Sequence, residues 1–318
     1  MVEEIKVEEI KSGSVATVDM ADAVERALKE GCLLRIKTNE WGNRVTMHQD
    51  EMANLPTEIV RGTKSLINKE ALKEIKAIKL KAMMWARKNT LPWVDDGSYY
   101  IPKGKIAEGR EYLNQCISEM EIAVEKLVEN YDSFVSDMKS QVELHNSCNP
   151  QSKIDFSEDK YPKKDELKDR FKIFYQFYMI AIPESGLGVL TEEQAKEERV
   201  KLNKSIQEAA EIGIQHLRHL FVEMVSHLRN KISQGSSFRN SSVVKIQEFV
   251  NDFETLNVWN DKELSALIAK CRGYMNGVDA DALRNDEAFS NKVESNLSEV
   301  MGDVVKLIGD RIERHMDF

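Results

Sequence analysis

Apolar residues recur at intervals of three and four along most of this chain, which is the pattern of amphipathic helices. The pattern predicts two long helices, over 103–146 and about 191–234, and neither contains a proline. At 1.5 Å per residue, each is roughly 60 Å long. Because a loop and a short strand join them, we expect the two helices to pack antiparallel as a helical hairpin, or coiled-coil stalk.

Shorter segments complete a mainly α prediction. Further helices are predicted over 19–30 and 69–89, and a C-terminal helical bundle near 238–256, 260–276, 279–284 and 286–315. Asn68 and the Thr191-x-x-Gln194 pattern are typical helix N-caps. A small β element is predicted from one or two strands within 32–47, a hairpin around Asp96-Gly97 and a buried strand within 168–183.

These elements divide the chain into four consecutive parts. The parts are a loose N-terminal arm (1–15), an α+β part with a basic helix and hairpin (16–102), two long helices joined by a loop and a short strand (103–234), and the C-terminal helices (235–318).

Composition narrows the class of protein. Only 6 Pro and 15 Gly in 318 residues exclude a many-stranded sandwich or barrel. The net charge of −9 disfavours non-specific nucleic-acid binding by the whole surface, although a local basic face remains compatible with it. The four cysteines form no CxxC pair, and the sequence has neither a signal-peptide pattern nor an apolar run of membrane-spanning length. We therefore expect a cytoplasmic location with no membrane contact.

Sequence motifs for catalysis are missing. The chain has no phosphate-binding G-x-x-x-x-G-K-[ST], no G-x-G-x-x-G and no G-x-S-x-G. The two glycines of 184–190 are typical of a strand-to-helix turn. We therefore predict no catalytic residue, no metal, no cofactor and no enzymatic activity.

A basic face is the first candidate binding surface. Between residues 61 and 88, nine Lys or Arg residues accompany two acids. The candidate nucleic-acid contacts are four cations that fall together on the helical wheel and three aromatic residues of the hairpin that follows: Lys69, Lys73, Lys76, Arg87, Trp93, Tyr99 and Tyr100. The alternative is a solvated face, or one that pairs with the acidic positions of the first long helix, Glu119, Glu121, Glu125 and Glu129.

A stripe of histidines is the second candidate surface. On the second long helix, one polar face away from the apolar sector carries His216, His219, Glu223 and His227. We expect these residues to face solvent or a partner, with a pH-sensitive contact or a metal site as alternatives. The aromatic run Phe171, Phe174, Tyr175, Phe177 and Tyr178 is expected in the core, with an exposed partner patch as the alternative.

Three stretches carry a resemblance to a known family. They are 62–116, in which a helix precedes a short aromatic segment and a long helix, DRFKIFYQF (169–177), and 236–268. Together they resemble an uncharacterised bacterial and phage family, domain of unknown function thirty-one fifty, over roughly 30–290. That family has no assigned catalytic residues. The resemblance implies a mobile-element context beside a MoxR-type AAA+ ATPase and a von Willebrand A-type protein.

The leading hypothesis is a non-enzymatic helical interaction protein, a scaffold or adaptor that binds copies of itself or an AAA+ ATPase. The first alternative is a nucleic-acid-binding accessory protein that uses the basic 61–88 face. The second is an inhibitor that binds a host defence complex directly. A metal-dependent hydrolase on the histidine helix is the remaining alternative.

Overall fold

The computed structural model describes residues 20–48, 51, 61–185, 189–233 and 240–308. Within these residues the chain is mainly helical with a small antiparallel sheet, as the sequence predicts. The predicted N-terminal arm, 1–15, lies outside the described residues.

Nine helices and six strands are assigned in the described part of the chain. The helices are α1 (Met20–Lys29), α2 (Lys73–Asn89), α3 (Ile106–Cys148), α4 (Lys164–Arg170), α5 (Glu192–Ser233), α6 (Ser241–Leu256), α7 (Lys262–Met275), α8 (Ala280–Asn285) and α9 (Glu287–Ile308). The strands are β1 (Gly31–Asn39), β2 (Arg44–Thr46), β3 (Thr63–Ser65), β4 (Leu91–Pro92), β5 (Ser98–Pro102) and β6 (Lys172–Tyr178).

The chain forms two compact units, each assembled from separate segments. Of the described residues, those within 1–33, 88–105 and 178–318 form unit 1, and those within 34–87 and 106–177 form unit 2. Each unit is built from segments that are distant along the chain, and the division into four consecutive parts stays a prediction. The two long helices, α3 and α5, belong to different units, and a coiled coil between them stays a prediction.

Unit 1 is built around α5, which packs against α1, α6, α9 and β4. Phe221 of α5 stacks on Phe249 of α6 with ring centroids 5.9 Å apart. The start of α5 is the predicted capping box: the Thr191 amide donates to Oε1 of Gln194 (2.9 Å), and the Gln194 amide donates to Oγ1 of Thr191 (3.2 Å).

The predicted hairpin also lies in unit 1. β4 and β5 are antiparallel, with Leu91 opposite Tyr100, and β5 neighbours β1. Gly97 closes the turn with a φ of +76°, a conformation that favours glycine over residues with a side chain.

Unit 2 contains an antiparallel pair of helices, α2 and α3. Three contacts show that the helices are antiparallel. As the residue number of the contacting residue rises along α2, the residue number of its contact on α3 falls. Glu74 binds Lys126 (3.1 Å), Lys81 binds Glu119 (2.8 Å), and the ring of Trp85 stacks on that of Tyr112 with centroids 5.6 Å apart. Leu72, Ile75 and Ile78 point into the core of unit 2.

The prediction of a buried aromatic strand within 168–183 was wrong in part. The strand is shorter, Lys172–Tyr178, and its exposure alternates, so only one of its faces is covered. Phe171 and Ile173 are buried, and the Tyr175 hydroxyl donates to Asn114 of α3 (2.8 Å). Phe174 is 56% exposed on the opposite face. The alternation of side chains along the strand therefore predicts their burial better than their aromatic character does.

Candidate functional site

The basic helix predicted from the sequence is α2, with the 3-10 turn Lys69–Leu72 before it. Asn68 caps this turn as predicted, since its Oδ1 accepts a hydrogen bond from the Glu70 amide at 3.0 Å. Burial of Ile75 and Ile78 on one side leaves the opposite side of α2 exposed. Lys73, Lys76 and Arg87 are exposed there, as the wheel predicts, and Lys69 is exposed in the turn before α2.

Two apolar residues lie among these cations. Leu80 is 58% exposed and Met84 is 60% exposed. At about 100° per residue, Lys73, Leu80 and Met84 point within about 20° of one direction, so they form one crest along the outer side of α2. The basic face predicted from the sequence did not include these two residues. The signal that could have found them is an apolar pair at i, i+4 inside a stripe of lysines.

Ion pairs join α2 to α3 along the flank of α2 that faces α3. Nζ of Lys81 lies 2.8 Å from both carboxylate oxygens of Glu119, and this hydrogen bonding lowers the pKa of Glu119. Between this pair and the Glu74–Lys126 pair lies a shallow cleft, to which Ala77, Ile78 and Ile122 contribute apolar surface. Ile122 is 54% exposed, so the apolar surface continues from α2 onto α3.

The outer side of α3 carries the opposite charge. Glu121, Glu125 and Glu129 are exposed, and none of them pairs with a cation of the described chain. Glu119 is the one of the four predicted acidic positions that binds the basic helix across the described interface of α2 and α3. The two helices therefore present a positive edge, an apolar centre and a negative edge on one face of unit 2.

Two of the three predicted aromatic contacts of the hairpin are buried. Trp93 is 8% exposed and Tyr100 is 0% exposed, and their rings stack with centroids 6.2 Å apart. Tyr100 also packs against Trp259, and burial raises the pKa of its hydroxyl. Tyr99 is half-buried. Trp93 and Tyr100 belong to the core of unit 1 and have no free ring face on which a base could stack.

The histidine stripe lies on α5 in unit 1. His219, Glu223 and His227 are exposed and His216 is half-buried, in keeping with a polar face away from the core. Nδ1 of His219 lies 2.8 Å from the carbonyl oxygen of Gln215, one turn earlier. Over the described ranges, no three His, Cys, Asp or Glu side chains are grouped so that they could hold a metal ion. In the same residues, no helix combines the length and apolar character needed to cross a membrane.

Comparison with known families gives one match. The family described as "Protein of unknown function (DUF3150)" matches residues 28–258. No curated protein and no solved structure matches the chain. The family match covers β1, the α2 and α3 pair and all of α5, so it includes both candidate surfaces.

Proposed function

Because the chain belongs to the DUF3150 family of proteins of unknown function, we propose its role from its own geometry: it is a non-enzymatic helical interaction protein, a scaffold or adaptor subunit. Its protein-binding surface is the face formed by α2 and α3 in unit 2. The observation that carries this proposal is the exposure of Leu80 and Met84, 58% and 60%, on the crest of α2.

Exposed apolar side chains of this size, rimmed by charges, are typical of protein interfaces. A phosphate backbone is complemented by cations and hydrogen-bond donors. Leu80 and Met84 offer neither charge nor hydrogen-bond donors to a phosphate group. The carboxylates of Glu125 and Glu129 would repel a phosphate backbone. This arrangement favours a protein partner over a nucleic acid.

The family resemblance supports a MoxR-type AAA+ ATPase as one partner, with this chain as its adaptor. The four free cysteines, of which Cys32, Cys116 and Cys271 are buried, support a reducing, cytoplasmic location. A phage or mobile-element origin is part of the same proposal.

Photocrosslinking from the crest of α2 tests the proposed surface. We replace Met84 with benzoyl-phenylalanine in the full chain, irradiate cells that express it and identify the cross-linked species by mass spectrometry. The matched control carries the same residue in place of Leu144, an equally apolar side chain of α3 that is 66% exposed. We expect a discrete protein–protein cross-link from position 84 and none from position 144.

Nucleic-acid binding by the cations of α2 is the second candidate, supported by the exposure of Lys69, Lys73 and Lys76. For this function we expect cross-links from position 84 to nucleic acid. We also expect the chain to bind single-stranded DNA with an affinity that falls steeply as the salt concentration rises. Lys73→Glu combined with Lys76→Glu would abolish that binding, whereas Leu80→Ser would leave it intact. This set of results would overturn the protein-interaction proposal.

A further inference from the structure

The face of α2 and α3 in unit 2 is complementary to itself. Its positive charge is on α2, at Lys73 on the crest and at Lys76 on the side away from α3, and its negative edge is on α3, at Glu125 and Glu129. Leu80, Met84 and Ile122 form the apolar centre between the two charged sides, beside the partly exposed ion pairs Lys81–Glu119 and Glu74–Lys126. A surface with both signs on opposite edges of one apolar strip can satisfy its charges against a second copy of itself.

Symmetry decides which edges meet. A twofold axis in the plane of the face and parallel to the helices places α2 of one copy over α3 of the other, and each positive edge then meets a negative edge. An axis perpendicular to the helices would place α2 over α2 and oppose like charges. The charge pattern therefore selects the first arrangement, a bundle of four helices.

The register within one copy carries over to this arrangement. Glu74 lies beside Lys126 and Lys81 beside Glu119, so residue 76 is level with residue 124, and residue 80 with residue 120. In the parallel-axis arrangement Lys76 comes level with Glu125 of the second copy. Leu80 comes within two residues, or about 3 Å along the helix axis, of Ile122 of the second copy, so the apolar side chains can meet.

The size of the face indicates which class of interface it can form. α2 has 17 residues, which gives a length of about 25 Å, and two adjacent helices are about 20 Å wide. Each copy then contributes about 500 Å², or about 1,000 Å² in total, at the lower limit for a specific interface. An interface of this size predicts a reversible dimer rather than a permanent one.

We propose that the occupant of this face is a second copy of the chain, docked through α2 and α3 about a twofold axis parallel to these helices. The inference rests on the proposed function, because it names the partner of the same surface.

Complementary charge reversals test the docking arrangement on the full-length chain. The first variant carries Lys73→Glu and Lys76→Glu, and the second carries Glu125→Lys and Glu129→Lys. Within either variant the facing edges have the same sign, so each alone should be monomeric at concentrations at which the wild-type chain is a dimer. An equimolar mixture restores opposite signs at both edges and should form a dimer with one chain of each kind. The measurement is mass by light scattering, with a mass tag on one variant.

A matched pair of variants tests the contribution of the apolar centre. Leu80→Ser should weaken self-association at least about tenfold, whereas Leu144→Ser, the same change at an exposed position outside the face, should leave it unchanged. Circular dichroism and a thermal melt of each variant show that the fold is retained.

Three outcomes overturn the second copy as occupant. They are a wild-type chain that stays monomeric at high micromolar concentration, charge variants that still dimerise alone, and a mixture that stays monomeric. A chain that stays monomeric but cross-links to a different protein from position 84 overturns this inference and leaves the proposed function standing. Cross-links from position 84 to nucleic acid alone overturn both.

Discussion

Arg218 of α5 and Asp261, the N-cap of α7, form a bidentate ion pair that is closed to solvent. Nε of Arg218 lies 2.7 Å from Oδ2 of Asp261 and Nη2 lies 3.1 Å from Oδ1, with side chains 1% and 0% exposed. Nη1 donates to the Leu307 carbonyl (2.8 Å), and Asp261 accepts from the Leu264 amide (3.1 Å). One guanidinium thus ties together α5, α9 and the start of α7.

Removing one partner of this pair should destabilise the fold, because the charge of the other partner stays buried. We expect Arg218→Met and Asp261→Ala each to lower the free energy of unfolding of unit 1 by about 3–5 kcal/mol. The double variant should lose less than the sum, since neither buried charge then remains without the other; in Asp261→Ala, Arg218 keeps its contact with Glu263 at 2.9 Å. Urea unfolding measures all three. Lys270→Met, which breaks the exposed pair with Glu299, is the control and should cost only about 0–1 kcal/mol.

Two helical glycines should respond to alanine in opposite directions. A Cβ on Gly213 would lie 2.6 Å from Nε1 and 2.8 Å from Cδ1 of Trp259, whereas nothing lies within 4 Å of one on Gly273. Gly213→Ala should therefore destabilise the chain by about 1–3 kcal/mol through overpacking. Gly273→Ala should stabilise it by about 0.5–1 kcal/mol through helix propensity. Thermal melts that shift in the same direction for both variants would contradict this account of Gly213.

The buried carboxylate of Glu51 should make the stability of unit 2 depend on pH. Burial acts to raise its pKa, but hydrogen bonds from Lys64 and from the amides of His48 (2.7 Å) and Asp155 (2.8 Å) outweigh it. The pKa therefore lies below its ordinary value of 4.5.

A carboxylate whose pKa is lowered by folding contributes stability that is present above its ordinary pKa and is lost as the pH falls through the folded-state value. We expect the urea midpoint of the wild-type chain to fall as the pH drops below about 4.5. Glu51→Gln should be less stable at neutral pH and show a flatter profile in the acid range. Equal slopes for the two chains would show that Glu51 is not the titrating group.

Thiol reactivity should separate Cys148 from the other three cysteines. Cys148 is exposed, whereas Cys32, Cys116 and Cys271 are buried, and burial raises the pKa of the Cys271 thiol to about 12. We expect a disulfide reagent to label a single thiol rapidly in the folded chain, and Cys148→Ser to abolish this phase. Unfolding in urea should expose all four. A rapid phase that survives Cys148→Ser would mean that a buried cysteine is reached by local opening.

Much of the secondary structure followed from the sequence by itself, because its causes are local. Apolar spacing of three and four predicted α3 and α5 to within a few residues, and the Thr191–Gln194 capping box and the Gly97 turn form as predicted. The exposure of the cations of α2 also followed from the helical wheel.

Tertiary structure decided which apolar and aromatic residues are covered, because burial depends on elements distant in the sequence. Leu80 and Phe174 remain exposed since no described element covers them, whereas Trp93 and Tyr100 are covered by packing in unit 1 that the hairpin sequence does not encode locally. The assembly of two units from interleaved segments likewise depends on contacts far apart along the chain. The sequence by itself therefore determined a charged helical surface, and only the fold brought its apolar centre and two charged edges onto one face.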